Sequence, residues 1–298
     1  MKAFEFITDA RAGKVIKIAM ISDAHKDSSD CDTDKLKKDF DFCLKDNRYI
    51  LIDGDWFDAI LLKDQKRAVP HLVERTDAQL NKKIEDSYEF LKPYQHLILF
   101  MGRGNHEESI LKYSGVDIIQ LLVTMLNAGQ EHKIQVGNYA NFIRFTAKDS
   151  AGKLCFYDIF AHHGAGGSAP ATKGMLDFSA IAKGVNADLI WIGHKHQALI
   201  DYSTPIMSVN TQGDVVMKNR QCIETPSYQK GRTIDYNVNY AERMYGHTAL
   251  SGFGELNLRI ERAGKNGRYV FIPDLKITTI PAITIGKVQT AKLIQKTR

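Results

Sequence analysis

The sequence predicts a layered α/β fold with a functional site along the ends of its strands. Three observations carry that expectation. Short apolar, β-branched runs recur along the first two hundred residues, each ending in a loop rich in Asp, Asn, His and Gly, and most are followed by a helical stretch. The last third breaks into short β runs, which suggests a second sheet packed on the first. The chain has 298 residues, 44% hydrophobic and 25% charged, enough to bury a large core.

Lys14–Ser22 (KVIKIAMIS) is a buried strand, and Phe4–Ile7 is expected to pair with it through the turn at Ala10–Gly13. Asp34–Leu44 reads as a helix with a charged outer face, and Tyr49–Ile52 as the next strand. Pro70 suits a first helical turn, and Leu80, Ile84, Tyr88 and Leu91 recur at helical spacing, so Pro70–Leu91 is a covering helix. His96–Met101 is a strand and Val116–Leu126 a buried helix. Phe142–Thr146 and Leu154–Ala161 are strands, Thr172–Lys183 a helix and Asp188–Ile192 another strand. Ile206–Val209, Asp214–Met217, Glu255–Ile260 and Arg268–Ile272 are the late β runs. Tyr228–Tyr245, rich in Tyr, Asn and Gly, fits no element.

No run of eighteen apolar residues occurs, so no membrane span is expected, and Met1–Met20 lacks the continuous apolar core of a secretory signal. Four scattered cysteines (Cys31, Cys43, Cys155, Cys222) read as reduced thiols in a cytoplasmic protein. The net charge is +5, and all of that excess lies beyond Asp274, where Lys276, Lys287, Lys292, Lys296 and Arg298 face no acid. Residues 1–274 are therefore expected to form one domain and 275–298 a basic extension, either solvated or in contact with phosphate backbones.

Six of the ten histidines sit in five polar clusters: Asp23-Ala24-His25, Gly54-Asp55-Trp56-Phe57-Asp58, Gly104-Asn105-His106-Glu107, His162-His163-Gly164 and Gly193-His194-Lys195-His196. Together they hold enough oxygen and imidazole donors for two metal ions that share one carboxylate. Such a pair of ions points to phosphoester hydrolysis. The donor set lacks thiolate, which suits manganese first, and also iron, zinc or cobalt. His106 is the natural proton donor to a leaving oxygen.

Order and spacing of these clusters resemble those of the calcineurin-like metallophosphoesterase family, over about residues 15–200. The resemblance implies two mixed β-sheets packed face to face and flanked by helices. It implies one metal held by Asp23, His25, Asp55 and His196, and a second held by Asp55, Asn105, His162 and His194. His106 would lie beside the metals as general acid while a metal-bridging hydroxide attacks phosphorus in line. Asp58 would orient a ligand or His106. His162 fits the family position better than His163, because one residue separates it from a small residue; His163 is left to touch substrate or cap the loop. Arg103 is read either as a substrate contact or as a brace of its turn, and Lys195 as facing away.

The Gly-His-x-His pair is shared with the phosphodiesterases of that family, including nucleases and cyclic-nucleotide enzymes. Protein phosphatases lack it and carry Arg-Gly where this chain has Ala59-Ile60. The expected activity is hydrolysis of nucleic-acid (DNA or RNA) or nucleotide diesters. The alternatives are a phosphomonoesterase or protein phosphatase of the same family, and a noncatalytic scaffold with the same fold.

Overall fold

A computed structural model describes residues 1–58, 77–166, 175–202, 205–209, 213–230, 251–263 and 267–279. Two six-stranded mixed sheets form the centre, with helices on their outer faces.

The first sheet grows from Val15–Ile21 (β2), which is apolar on both sides from Ile18 onward, with Lys17 at its outer end paired with Asp46. Ile16, Ile18 and Met20 enter the core between the sheets, whereas Ala19 and Ile21 face the helices. A strand covered on both faces shows a continuous apolar run in place of alternation. Tyr49–Ile52 (β3), Ile98–Met101 (β4) and the short Gln135–Val136 (β5) extend it in parallel, and the last two strands among the described residues, Gly252–Ala263 (β13) and Arg268–Thr279 (β14), extend the other side antiparallel. Thr33–Lys45 (α1), Asp77–Leu91 (α2), Asn105–Ser114 (α3) and Ile118–Leu126 (α4) cover this sheet through Leu36, Phe40, Ile84, Ile110 and Leu122. Residues 70–76 of the expected second helix lie outside the described residues.

The second sheet runs Lys2–Asp9 (β1), Ala140–Lys148 (β6), Leu154–His162 (β7), Leu189–Ile192 (β8), Gln221–Glu224 (β12) and Leu199–Asp201 (β9). Met175–Gly184 (α5) packs Phe178 against Ile190 and Ile192 on its outer face. Between β9 and β12 the chain forms a separate hairpin, Ile206–Val209 (β10) with Val215–Lys218 (β11).

Two expectations are revised. β1 does not pair with β2; it lies parallel to β6 at the edge of the other sheet. Only Phe4 and Phe6 of β1 pack inward, and such a half-polar strand suits an edge with one wet face. The boundary expected after Asp274 falls inside β14, which continues to Thr279 and buries Leu275 in the inter-sheet core. Pro273 is tolerated there because β14 is an edge strand. The rest of the basic extension, 280–298, lies outside the described residues. All four cysteines are buried and free. Among the described residues no single helix is long and apolar enough to cross a membrane.

Candidate metal centre

β2, β3, β4, β7 and β8 run so that their C-terminal ends meet at one end of the sandwich. Each polar cluster is the first loop after one of those strands. Asp23 and His25 follow β2, Asp55 and Asp58 follow β3, Asn105 and His106 open α3 after β4, His163 follows β7, and His194 and His196 follow β8.

Backbone conformation is unusual at these loops. Asp23, His25, Asp55, His194 and His196 have positive φ (43° to 71°), and among the described residues outside glycine only Asn47 shares it. A left-handed backbone costs roughly 1–2 kcal/mol per L-residue, and strain gathered at one locus marks a site that the surrounding fold holds by force. The motif glycines are fixed by space. A Cβ on Gly104 would fall 2.1 Å from Asp55 Oδ1, and one on Gly54 (φ +77°) 2.4 Å from His163 Nδ1.

Three groups of donors converge: Asp23, His25 and His196; His25, Asp55 and His106; Asp55, His163 and His194. Within each group the donor atoms lie within 4.8 Å of one another. Asp55 Oδ2 stands at the centre, 3.1 Å from His163 Nε2 and 3.9 Å from both His25 Nε2 and His106 Nε2. His163 Nε2 is also 3.1 Å from Asn105 Oδ1, and His196 Nε2 is 3.4 Å from Asp23 Oδ1. Asp23, His25, Asp55 and His163 are buried.

Electrostatics follow from that crowding. Burial opposes ionisation of Asp55, but His163 and His106 hold its carboxyl well below the usual range. Burial would depress His163, yet Asp55, Asp23 and Asp53 keep it well above an ordinary histidine. In the same way His25 is raised to about 9, with burial opposed by Asp58 and Asp55. Imidazoles pressed to bind protons by buried carboxylates are in an environment that equally favours a cation. His25 Nε2 is buried with no hydrogen-bond partner among the described residues, an orphan that a metal ion would satisfy. The donor set therefore fits divalent cations.

Outer contacts fix ring orientation. His25 Nδ1 lies 3.2 Å from Asp58 Oδ1, and His106 Nδ1 donates to the Asp58 carbonyl at 2.7 Å. His163 Nδ1 donates to the Asp53 carbonyl at 3.1 Å, leaving Nε2 toward Asp55. Asp58 thus serves both His25 and His106.

The structure brings together Asp23, His25, Asp55, Asn105, His106, His194 and His196. At the adjacent pair it places His163, not His162, against Asp55. His162 ends β7 on the opposite side, beside Phe160 and Tyr139, and its Nδ1 accepts from Gly164 N at 2.9 Å. Alternation explains this: Ile159 and Ala161 face the inter-sheet core, and the next residue of that parity is His163. Arg103 braces its turn. Its guanidinium pairs with Asp117 and donates to Gly137 O and Asn138 Oδ1, both at 2.8 Å. Lys195 turns onto α5 and pairs with Asp177. Tyr228 is buried and donates to Asp39 Oδ2 at 2.9 Å, while residues 231–250 lie outside the described residues.

Two contributors escaped the sequence reading. Glu107, buried, accepts from Asp55 N, Phe57 N and Gly104 N at 2.8–3.0 Å, clamping the Asp55 loop to the start of α3. Its signal was a Glu three residues after Gly104, the spacing of a helix cap. Thr225 Oγ1 bonds Ser22 Oγ at 2.7 Å and accepts from Trp191 Nε1 at 2.9 Å, joining the two sheets directly beneath the site. No local sequence signal marks it.

The chain is similar in fold to YfkN from Bacillus subtilis, a calcineurin-like phosphoesterase, at 12% identity over 89% of this chain and 90% of that one, with a TM-score of 0.40. GAP50, the anchor in the inner membrane complex of Plasmodium, aligns at 13% identity over 92% of each chain with a TM-score of 0.37. A metallophosphoesterase from Sphaerobacter thermophilus aligns at 12% identity over 88% of each chain with a TM-score of 0.31. No curated protein matches. Residues 16–198, more than half of the chain and the stretch that supplies every converging donor, match the model of one family, and by that match the chain belongs to the calcineurin-like phosphoesterases.

Proposed function

We propose that this phosphoesterase hydrolyses phosphodiesters of nucleic acid or nucleotides, with two divalent cations, manganese foremost, as cofactors. Asp23, His25, Asp55 and His196 would hold one cation, and Asp55, Asn105, His163 and His194 the other. When bound, such ions lower the pKa of coordinated water and neutralise charge on phosphoryl oxygens.

The observation that carries the reading is the Gly-His-x-His pair in place. His196 Nε2 lies 3.4 Å from Asp23 Oδ1, and the His194 ring stands 5.4 Å from that of His163. Engagement of the Arg103 guanidinium by Asp117, Gly137 and Asn138 also supports a diester, since a singly charged phosphate needs less cationic clamping than a dianionic monoester.

The remaining chemistry belongs to the chain. His106 Nδ1 donates a hydrogen bond to the Asp58 carbonyl at 2.7 Å, with the Asp58 carboxylate 3.3 Å away, and these contacts fix the ring with Nε2 toward Asp55. Nε2 then presents a proton to the leaving oxygen. The N-terminus of α3, where Asn105 and His106 sit, directs its positive end toward the anionic substrate.

Protein loaded with manganese should hydrolyse bis(p-nitrophenyl) phosphate in preference to p-nitrophenyl phosphate, and Asp55→Ala should reduce the rate to background. Full activity in that variant, or a preference for the monoester, would overturn the reading.

A further inference from the structure

The loop that continues from His25 and one face of α2 border a solvent-open cavity of about 530 Å³, within the range of roughly 300–1,000 Å³ typical of small-ligand sites. Three lysines line it (Lys26, Lys82 and Lys83) against two aspartates (Asp27 and Asp86). Asp27 is already engaged: its Oδ2 takes Lys83 Nζ at 2.7 Å, and its Oδ1 accepts from Asp58 N at 2.6 Å. Lys26 and Lys82 therefore outnumber Asp86, and the cavity is set for an anion.

A second observation points the same way. Ser87 also lines the cavity, is 1% exposed, and its hydroxyl has no hydrogen-bond partner among the described residues. A buried helical serine ordinarily bonds back to the carbonyl one turn earlier, and leaving the group unpaired is costly. An incoming oxygen would satisfy it. The cavity also adjoins the metal centre. Lys26 directly follows His25, and Asp58, held by Asp27, is 3.2 Å from His25 Nδ1.

We infer that this cavity binds a second phosphate of the substrate, adjacent to the diester lying at the histidine–aspartate cluster, and so selects substrates with another phosphate nearby. The inference rests on the diesterase reading for its catalytic consequence. A terminal phosphate and the next diester of a strand offer the same anionic oxygens.

With manganese-loaded full-length protein, thymidine 5′-(p-nitrophenyl phosphate) should be compared with its 3′-phosphorylated counterpart. The second is expected to show a kcat/KM about tenfold higher, the scale of one charge-assisted contact. That ratio should fall toward one in Lys82→Ala and in Ser87→Ala, and shrink with added salt. Ser87→Ala should keep or raise the melting temperature, since it removes an unpaired hydroxyl from a helix. A 3′-methyl phosphate ester distinguishes the sources: preference retained means a strand, preference lost means a terminus. Equal kcat/KM for the first two substrates, or a ratio untouched by both substitutions, overturns the inference. Calorimetric binding of thymidine 3′,5′-bisphosphate needs no turnover. If Lys82→Ala binds it as tightly as the parent, the cavity assignment fails, whereas weakened binding without any hydrolysis would sink the diesterase reading alone.

Discussion

At the residue scale, the adjacent histidines at the end of β7 show how backbone parity selects which of the two faces the candidate metal centre. His162 and His163 are chemically identical, yet only His163 shares the face of Ile159 and Ala161 and reaches Asp55 Oδ2 at 3.1 Å. Its Nδ1 is engaged by the Asp53 carbonyl, which fixes the tautomer with Nε2 inward. His163→Ala should accordingly lose at least one of two bound metal equivalents after dialysis, as read by elemental analysis, whereas His162→Ala should retain both. The opposite pattern would return the ligand role to His162. Sequence could not make this choice because β7 is apolar on both faces near its end. Phe160 on one side and Ala161 on the other are both buried, so no polar alternation reveals which side is which.

At the scale of elements, the loops were legible and their bracing was not. β3 and β8 announce themselves as continuous apolar runs, β2 as a run broken only by Lys17, and the polar residues after them could be read in order. α3 was missed: it starts on Asn105, a proposed metal ligand, and its cues are only a Glu at the third position and Gly115 at its end. The partner of β1 was misjudged because pairing is set by which sheet has an open edge, a property of the whole assembly. Thr225 is the extreme case, since its partners lie 203 and 34 residues away. It links Ser22, next to Asp23, with Trp191 in β8, whose following loop carries His194. Thr225→Val keeps the shape but takes the acceptor from the buried Trp191 Nε1–H and the hydroxyl partner from Ser22. Urea unfolding of the chelated protein should show a loss of about 1–3 kcal/mol, largely recovered in Thr225→Ser. No change in stability would mean that the hydroxyl is replaceable and the sheets are joined by packing alone.

At the scale of the molecule, the candidate metal centre gives the fold a pH dependence whose direction would depend on occupancy. Burial raises Asp53 from 3.8 to about 8 and Glu224 from 4.5 to about 8. His25 rises from 6.5 to about 9, burial being outweighed by Asp58 and Asp55. Without metal, the native state holds these protons at pH values where the unfolded chain has released them. Their contribution is full below the unfolded pKa values and disappears as pH climbs through the folded ones. Asp55 and Asp23 are lowered, so their contribution is already complete above about pH 4 and does not change higher up. His162 and His194, lowered by burial, act in the opposite sense only below the ordinary histidine range, so the melting temperature of chelated protein should fall from about pH 7 to pH 9. Cations reverse the balance, because His25 must be deprotonated to coordinate and the ions stabilise only the folded chain. The gain in melting temperature on adding manganese should be small at pH 5 and grow toward pH 9. A gain independent of pH would mean that the cation does not displace the protons held by this cluster, and a chelated protein that becomes more stable with rising pH would show that those protons are not there.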